Sequence, residues 1–135
     1  MKLAGRHAPL SRATVLLAAR TVLSAERRAA ELSISFLGRD KMRSLNRRWT
    51  GRDSVTDVLA FPLPLPDGSL AGDIYICPWV AAREARARGL PVRQELIRLI
   101  IHGVLHVLGY DHPEDEDRMT SPMWQRQERL IRRVR

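Results

Sequence analysis

Residues 92–112 read VRQELIRLIIHGVLHVLGYDH, and how this stretch divides decides the fold. From Val92 to Leu108 apolar residues fall on nearly every side of a helix. A helix apolar all round has to be covered, so this one is predicted to be largely buried. Two polar side chains interrupt its second half. His102 and His106 are four residues apart, which puts them on one face with Cβ atoms about 5–6 Å apart. Two imidazoles at that separation can bind one ion. Gly109 follows, and glycine readily takes the positive φ that ends a helix and turns the chain sharply. His112 can then swing back as a third ligand. Three of the chain's four histidines lie in this segment, and His7 stands apart from them. Three imidazoles leave one corner of a tetrahedral Zn2+ open to water. Zinc lowers the pKa of such a water toward about 7. Ni2+ and Cu2+ also bind imidazole well, so spacing alone does not choose the metal.

Other readings of the histidines compete. A single histidine on an apolar helix is usually a core or capping residue, but three at ligand spacing beside a helix-ending glycine favour a metal. A purely structural zinc would need a fourth protein ligand, and Cys77 is the sole cysteine available. The spacing H-x3-H-x2-G-x2-H equals that of the metzincin peptidases, which carry a Glu directly after the first His as general base. Gly103 occupies that place and cannot take a proton, so peptidase chemistry is disfavoured.

Working outward, Ser11 N-caps a helix within residues 10–30, and Glu31 to Leu37 alternates at period two with Leu32, Ile34 and Phe36 on one face. Asp40 is the expected cap of a short helix through Met42, Leu45 and Trp49, stopped by Gly51. Val55 to Phe61 reads as a second strand. Pro62, Pro64 and Pro66 with Asp67-Gly68 read as an extended stretch and a turn, and Gly72 to Ile76 as its antiparallel neighbour. Pro78 to Arg88 reads as a helix closed by Gly89 and Pro91. A last helical region runs from about Asp115 to Val134, with Pro122 either splitting it or opening a second piece. Interspersed strands and helices with short connections predict an α+β fold: a small mixed sheet with helices packed on it, and a zinc cleft formed by the buried helix and the turn after it.

The 135 residues are 44% hydrophobic and 28% charged, which suits one domain, 1–135, with a real core and excludes a disordered polymer. No apolar run approaches the roughly 20 residues that span a bilayer, and the Thr14 to Leu23 stretch is broken by Arg20 with no signal pattern before it. One cysteine makes no internal disulfide, so a cytoplasmic setting is expected. Lys plus Arg total 23 against 15 Asp plus Glu, a net charge of +8 that is almost all arginine. Guanidinium groups suit bidentate phosphate contacts, which makes nucleic acid the first partner to test. The arginines cluster at Arg39 to Arg52, Arg83 to Arg93 and Arg126 to Arg135; flanking a metal cleft, two such clusters would guide a polyanion. Three Trp, two Tyr and two Phe are too few to suggest an aromatic stacking platform.

The run His102-Gly-Val-Leu-His106-Val-Leu-Gly-Tyr-Asp-His112 resembles the signature of the YbeY family of bacterial rRNA maturation factors. Leu45-Asn46 followed by Thr56-Asp57-Val58-Leu59-Ala60-Phe61-Pro62 is similar to that family's LN…T[DN]VLSFP block, and Gly72-Asp73-Ile74-Tyr75-Ile76-Cys77 to its GD[IL]xIC strand. Order and spacing agree over about residues 32–130. The resemblance implies a single-strand-specific, metal-dependent endoribonuclease acting on rRNA precursors. One Zn2+ would be held by His102, His106 and His112, in a cleft between the metal helix and the strand around Thr56 to Phe61. It implies RNA and the ribosome as partners, with a ribosomal protein as a further candidate and no membrane. Where the family commonly has an Arg after an aromatic residue, this chain has Thr50 after Trp49; Arg47, Arg48 and Arg52 are nearby substitutes. Val55 and Ala60 replace the family's Pro and Ser, and the segment before residue 30 implies a lost or reduced first strand.

No general base is assigned. Asp57 is the candidate, either orienting a ligand and accepting a proton, or bonding backbone N–H groups at a strand end. Asp111 is placed to fix the His112 tautomer or cap the turn. Glu114 to Asp117 suit a helix N-terminus, while Asp73 and Tyr110 read as structural. The rival readings are a non-catalytic ribosome-assembly or RNA-binding module with a fold-stabilising zinc, and a metallohydrolase of another substrate.

Overall fold

Alternation in ELSISF builds the strand on which the sheet is centred: Leu32, Ile34 and Phe36 are buried, and Ser33 and Ser35 half-buried on the other face. The protein is described here from a computed structural model covering residues 2–4, 9–111 and 121–134, with side chains for the last two ranges. In chain order the elements are β1 (Lys2–Ala4), α1 (Arg12–Glu26), β2 (Glu31–Phe36), α2 (Arg39–Thr50), β3 (Val58–Pro64), β4 (Leu70–Ile76), α3 (Pro78–Arg88), α4 (Val92–Val107) and α5 (Pro122–Val134). The sheet order is β1-β2-β4-β3, with β1, β2 and β4 parallel and β3 antiparallel to β4. This is the expected α+β fold with a mixed sheet, and β1 is a short first strand of three residues. Among the described residues no helix is long and apolar enough to cross a membrane.

Helices α1, α4 and α5 cover one sheet face, where Val15, Ile34, Ile74, Ile100, Leu105 and Leu130 are all fully buried. The approach of α4 to β4 is set by two glycines. A Cβ on Gly103 would lie 2.7 Å from Ile74 Cγ2, and a Cβ on Gly72 would lie 2.5 Å from Val107 Cγ2. Neither position has room for a side chain, so Ile74 packs directly on the α4 backbone at Gly103 and Val107 on the β4 backbone at Gly72. On the opposite side Met42, Cys77 and Val80 make a smaller cluster under α2 and α3.

Several expected boundaries move. Helix α1 begins as expected after Ser11, whose hydroxyl accepts the Thr14 N–H. Gly38, not Asp40, is the N-cap of α2; Asp40 sits in its first turn, where its charge still suits the helix dipole. Strand β3 starts at Val58 instead of Val55 and runs through both prolines to Pro64. The flanking hydrogen bonds explain this. Leu65 N donates to Ser69 O and Cys77 N to Asp57 O, so odd-numbered residues face β4. Pro62 and Pro64 fall on the even phase of an edge strand, where no donor is needed. Of the two expectations for Pro122, the structure shows it at the first position of α5, with Ser121 Oγ accepting the Trp124 N–H. The expected helical turns between Asp115 and Ser121 and the acidic run Glu114 to Asp117 lie outside the described residues.

Candidate metal centre

Between Glu95 and Leu108 every residue is buried except His102 and His106, which are half-buried. The helix thus seals itself against the sheet and its neighbours along all but one stripe, and that stripe carries the two imidazoles one turn apart. His102 opens into a small cavity that Asp57, Arg88, Arg98, Trp124 and Gln127 also line. Gly103 faces the sheet at Ile74, so a carboxylate at the metzincin base position would be driven into the core and away from the histidines. The chain lacks that base for a packing reason.

The end of α4 matches its expectation. Gly109 has φ +108, its N–H donates to His106 O, and Tyr110 N–H donates to Leu105 O. These are the two hydrogen bonds of a Schellman turn. Tyr110 then packs on the core and its hydroxyl bonds Glu26, which is also held by Arg126 at 2.8 Å. Burial works against the ionised Glu26, but the Tyr110 hydrogen bond and Arg126 outweigh it and bring its pKa below the usual value. The same hydrogen bond to Glu26 raises the Tyr110 pKa. The chain leaving α4 is therefore anchored to α1 and α5 as far as Tyr110. Asp111 is exposed, and His112, the expected third ligand, lies outside the described residues.

Among the described residues no three His, Cys, Asp or Glu side chains converge as a metal set. Cys77, the fourth ligand of the closed alternative, is instead fully buried against Met42 and Val80. Two imidazoles at i and i+4 on a half-buried stripe are donors of the kind that zinc takes. Asp57 does reach the cavity with His102. It also fulfils its other expectation, since its Oδ1 accepts the Val58 N–H at 2.8 Å and lies 3.4 Å from Thr56 Oγ1.

Sequence reasoning missed a polar chain beside this stripe. His102 Nδ1 lies 2.8 Å from Gln127 Oε1, and Gln127 Nε2 donates to Glu128 Oε2 at 3.1 Å. Arg98 grips Glu128 with Nε and Nη2 at 2.9 and 3.0 Å and Glu95 with Nη1 at 2.5 Å. Burial disfavours the charge on both Arg98 and Glu128, yet their mutual contact wins: the Arg98 pKa is raised and the Glu128 pKa lowered. The signal available in the sequence was Glu95 and Arg98, two charges on a helix otherwise meant for the core.

The arginine clusters divide. Arg88, from the second, lines the cavity; Arg126, from the third, is tied to Glu26; Arg43, from the first, is paired with Asp53. Thr50, where the family's Arg was expected, bonds the Asn46 carbonyl and side-chain oxygen at 2.7 Å and finishes α2. Few as they are, the aromatics do group: Trp49, Phe61 and Tyr75 form a row with centroids 6.0 and 6.1 Å apart. Arg39 and Arg83 stand over Trp79 at 4.4 and 5.1 Å.

Known proteins resemble this chain over most of its length. The family profile described as Endoribonuclease YbeY matches residues 8–135. A protein named Endoribonuclease YbeY from an Anaeromyxobacter species is 51% identical over 94 residues, 67% of this chain and 49% of that protein. Another so named, from Anaeromyxobacter dehalogenans, is 42% identical over 122 residues, covering 87% of this chain and 63% of its relative. The chain thus spans about half the length of the first and under two thirds of the second. A solution structure of a Thermotoga maritima protein superposes with a TM-score of 0.69 at 28% identity, over 98% of this chain and 87% of that one.

Proposed function

The chain belongs to the Endoribonuclease YbeY family, and from that membership we propose that it is a single-strand-specific, zinc-dependent endoribonuclease. It acts in the cytoplasm on ribosomal RNA precursors, in maturation of the 16S 3′ end and in ribosome quality control, with the ribosome and a ribosomal protein as partners. One observation carries the reading: along the sealed stretch of α4 the two residues left half-open are His102 and His106, and His102 borders a cavity lined by two carboxylates, Asp57 and Glu95, and two guanidinium groups, Arg88 and Arg98.

His102, His106 and His112 would hold the ion. When bound, zinc supplies Lewis acidity that activates water and polarises a phosphoryl oxygen. The remaining work falls to the chain itself. Arg88 stands at the cavity to neutralise phosphate charge, whereas Arg98 is committed to Glu95 and Glu128. Asp57 would accept a proton from the attacking hydroxyl; it borders the cavity with His102, and its Oδ1 takes the Val58 N–H, whereas Glu95 is bound to Arg98. If the RNA 2′-OH attacks, the product carries a cyclic phosphate; if water attacks, it does not.

The test is cleavage of single-stranded rRNA fragments by purified protein with Zn2+, beside His106→Ala. Cleavage is expected from the parent and lost in the variant, and the product ends identify the attacking hydroxyl. Equal cleavage by both would show that the activity belongs to a contaminant. Binding to RNA should weaken steeply with salt, because phosphate contacts release counterions.

A further inference from the structure

We propose that Gln127 is a positioning residue that fixes His102 as its Nδ1–H tautomer, so that Nε2 is the ring nitrogen offered to a cation. This rests on the zinc site proposed above, but its geometry comes from the hydrogen bonds of this chain. A carboxamide is symmetric in shape, so its orientation must come from its neighbours. Here the neighbour decides. Gln127 Nε2 lies 3.1 Å from Glu128 Oε2, and a carboxylate only accepts. The amide nitrogen therefore points at Glu128, which leaves Oε1 as the atom 2.8 Å from His102 Nδ1. An amide oxygen also only accepts, so Nδ1 must carry the hydrogen. A neutral imidazole has one N–H and one lone pair, and the lone pair is then on Nε2.

Each link is held by the one behind it. Gln127 is 1% exposed, so it has little freedom to turn and no bulk water to satisfy it. Glu128 is fixed by two hydrogen bonds from Arg98, and its pKa is held below the usual value, so it stays an acceptor through neutral pH. Arg98 is fixed in turn by Glu95, 3% exposed. The chain runs from the first turn of α4, across to α5, and back to α4 at His102. It spends buried charge on the orientation of one ring.

The test compares the parent chain with Gln127→Leu and Gln127→Glu, all prepared metal-free. Zinc affinity is read by competition with a chromogenic chelator. The protonated ring nitrogen of His102 is read from long-range proton–nitrogen spectra at mildly alkaline pH. The leucine variant keeps most of the volume and removes the acceptor; its affinity should fall by about 10–100-fold, and its ring should shift toward the Nε2–H form. The glutamate variant keeps an acceptor, so it should retain the Nδ1–H form and rescue most of the affinity. Should the leucine variant fail to fold, Glu128→Gln carries the same test, because the amide then loses its fixed orientation. Unchanged affinity together with an unchanged Nδ1–H ring in the leucine variant, or in Glu128→Gln where that replaces it, overturns the proposal. If the parent binds no zinc, the nuclease reading fails, and the spectra alone still decide the tautomer.

Discussion

Helix α4 is held on two sides by opposite means. Toward the sheet it is held by the absence of side chains: Gly103 against Ile74, and Val107 against Gly72. Toward α5 it is held by charges and amides, from Glu95 through Arg98, Glu128 and Gln127 to His102. The sheet side fixes where the helix lies, because side chains packed on bare glycine backbone leave little room for displacement. The α5 side fixes how one imidazole is turned, because hydrogen bonds have direction and dispersion contacts do not. A metal site needs both, a rigid platform and an aimed donor. Each side can be broken separately.

The largest effect should come from the polar side. Arg98→Leu leaves Glu95 and Glu128 without their cation; Glu95 is 3% exposed, so it cannot turn to water. Removing one partner of a buried pair costs about 3–5 kcal/mol. Denaturant unfolding in excess chelator measures it with no contribution from metal. A loss under about 1 kcal/mol would mean that water already screens the pair. The pH dependence gives a second reading. The pKa of folded Glu128 lies below the ordinary glutamate value, so its contribution is present above that value and is lost as pH falls through the depressed one. Glu26, held by Tyr110 and Arg126, has the same sign. The parent should therefore lose stability in acid, below the ordinary glutamate range, and Arg98→Leu should show a shallower loss because the Glu128 part is gone.

The glycine side should yield less. Gly103→Ala puts a methyl 2.7 Å from Ile74 Cγ2, and such overpacking costs about 1–3 kcal/mol, partly offset by the roughly 1 kcal/mol that alanine gains over glycine in a helix. The distinguishing measurement is a double-mutant cycle with Ile74→Ala, which removes the Cγ2 in the way. The pair should destabilise by less than the sum of the two single changes. Strict additivity would show that the glycine is there for another reason than close approach.

The two sides also differ in how much of them could be read from the sequence. The burial of α4, the alternation in β2 and the glycine stop at Gly109 are local, periodic signals, and they placed the helix and put His102 and His106 on one stripe of it. Gly103 could be read as the loss of a peptidase base, but not as the contact that makes the loss necessary, because Ile74 is distant in the chain. Strand β3 slid three residues because prolines read as breakers, and only the pairing phase with β4 shows that Pro62 and Pro64 need no donor. Gln127 could not be found at all. It lies on another helix, 25 residues from His102, and a glutamine on an arginine-rich helix looks like one more solvated residue. Asp57 was placed beside the histidine-bearing helix by resemblance, and the cavity does bring it to His102.

The smallest effect separates the two roles of α5. Ser121 caps this helix through the Trp124 N–H at 3.1 Å, and removing such a cap costs about 1 kcal/mol. Gln127 and Glu128 lie beyond the first turn that the cap supports, and Glu128 is gripped independently by Arg98. Ser121→Ala should therefore lower stability by about 1 kcal/mol while leaving zinc affinity close to that of the parent chain. If instead affinity falls as far as in Gln127→Leu, then the aim of His102 depends on the whole start of α5 and not on the pair of side chains that touch it.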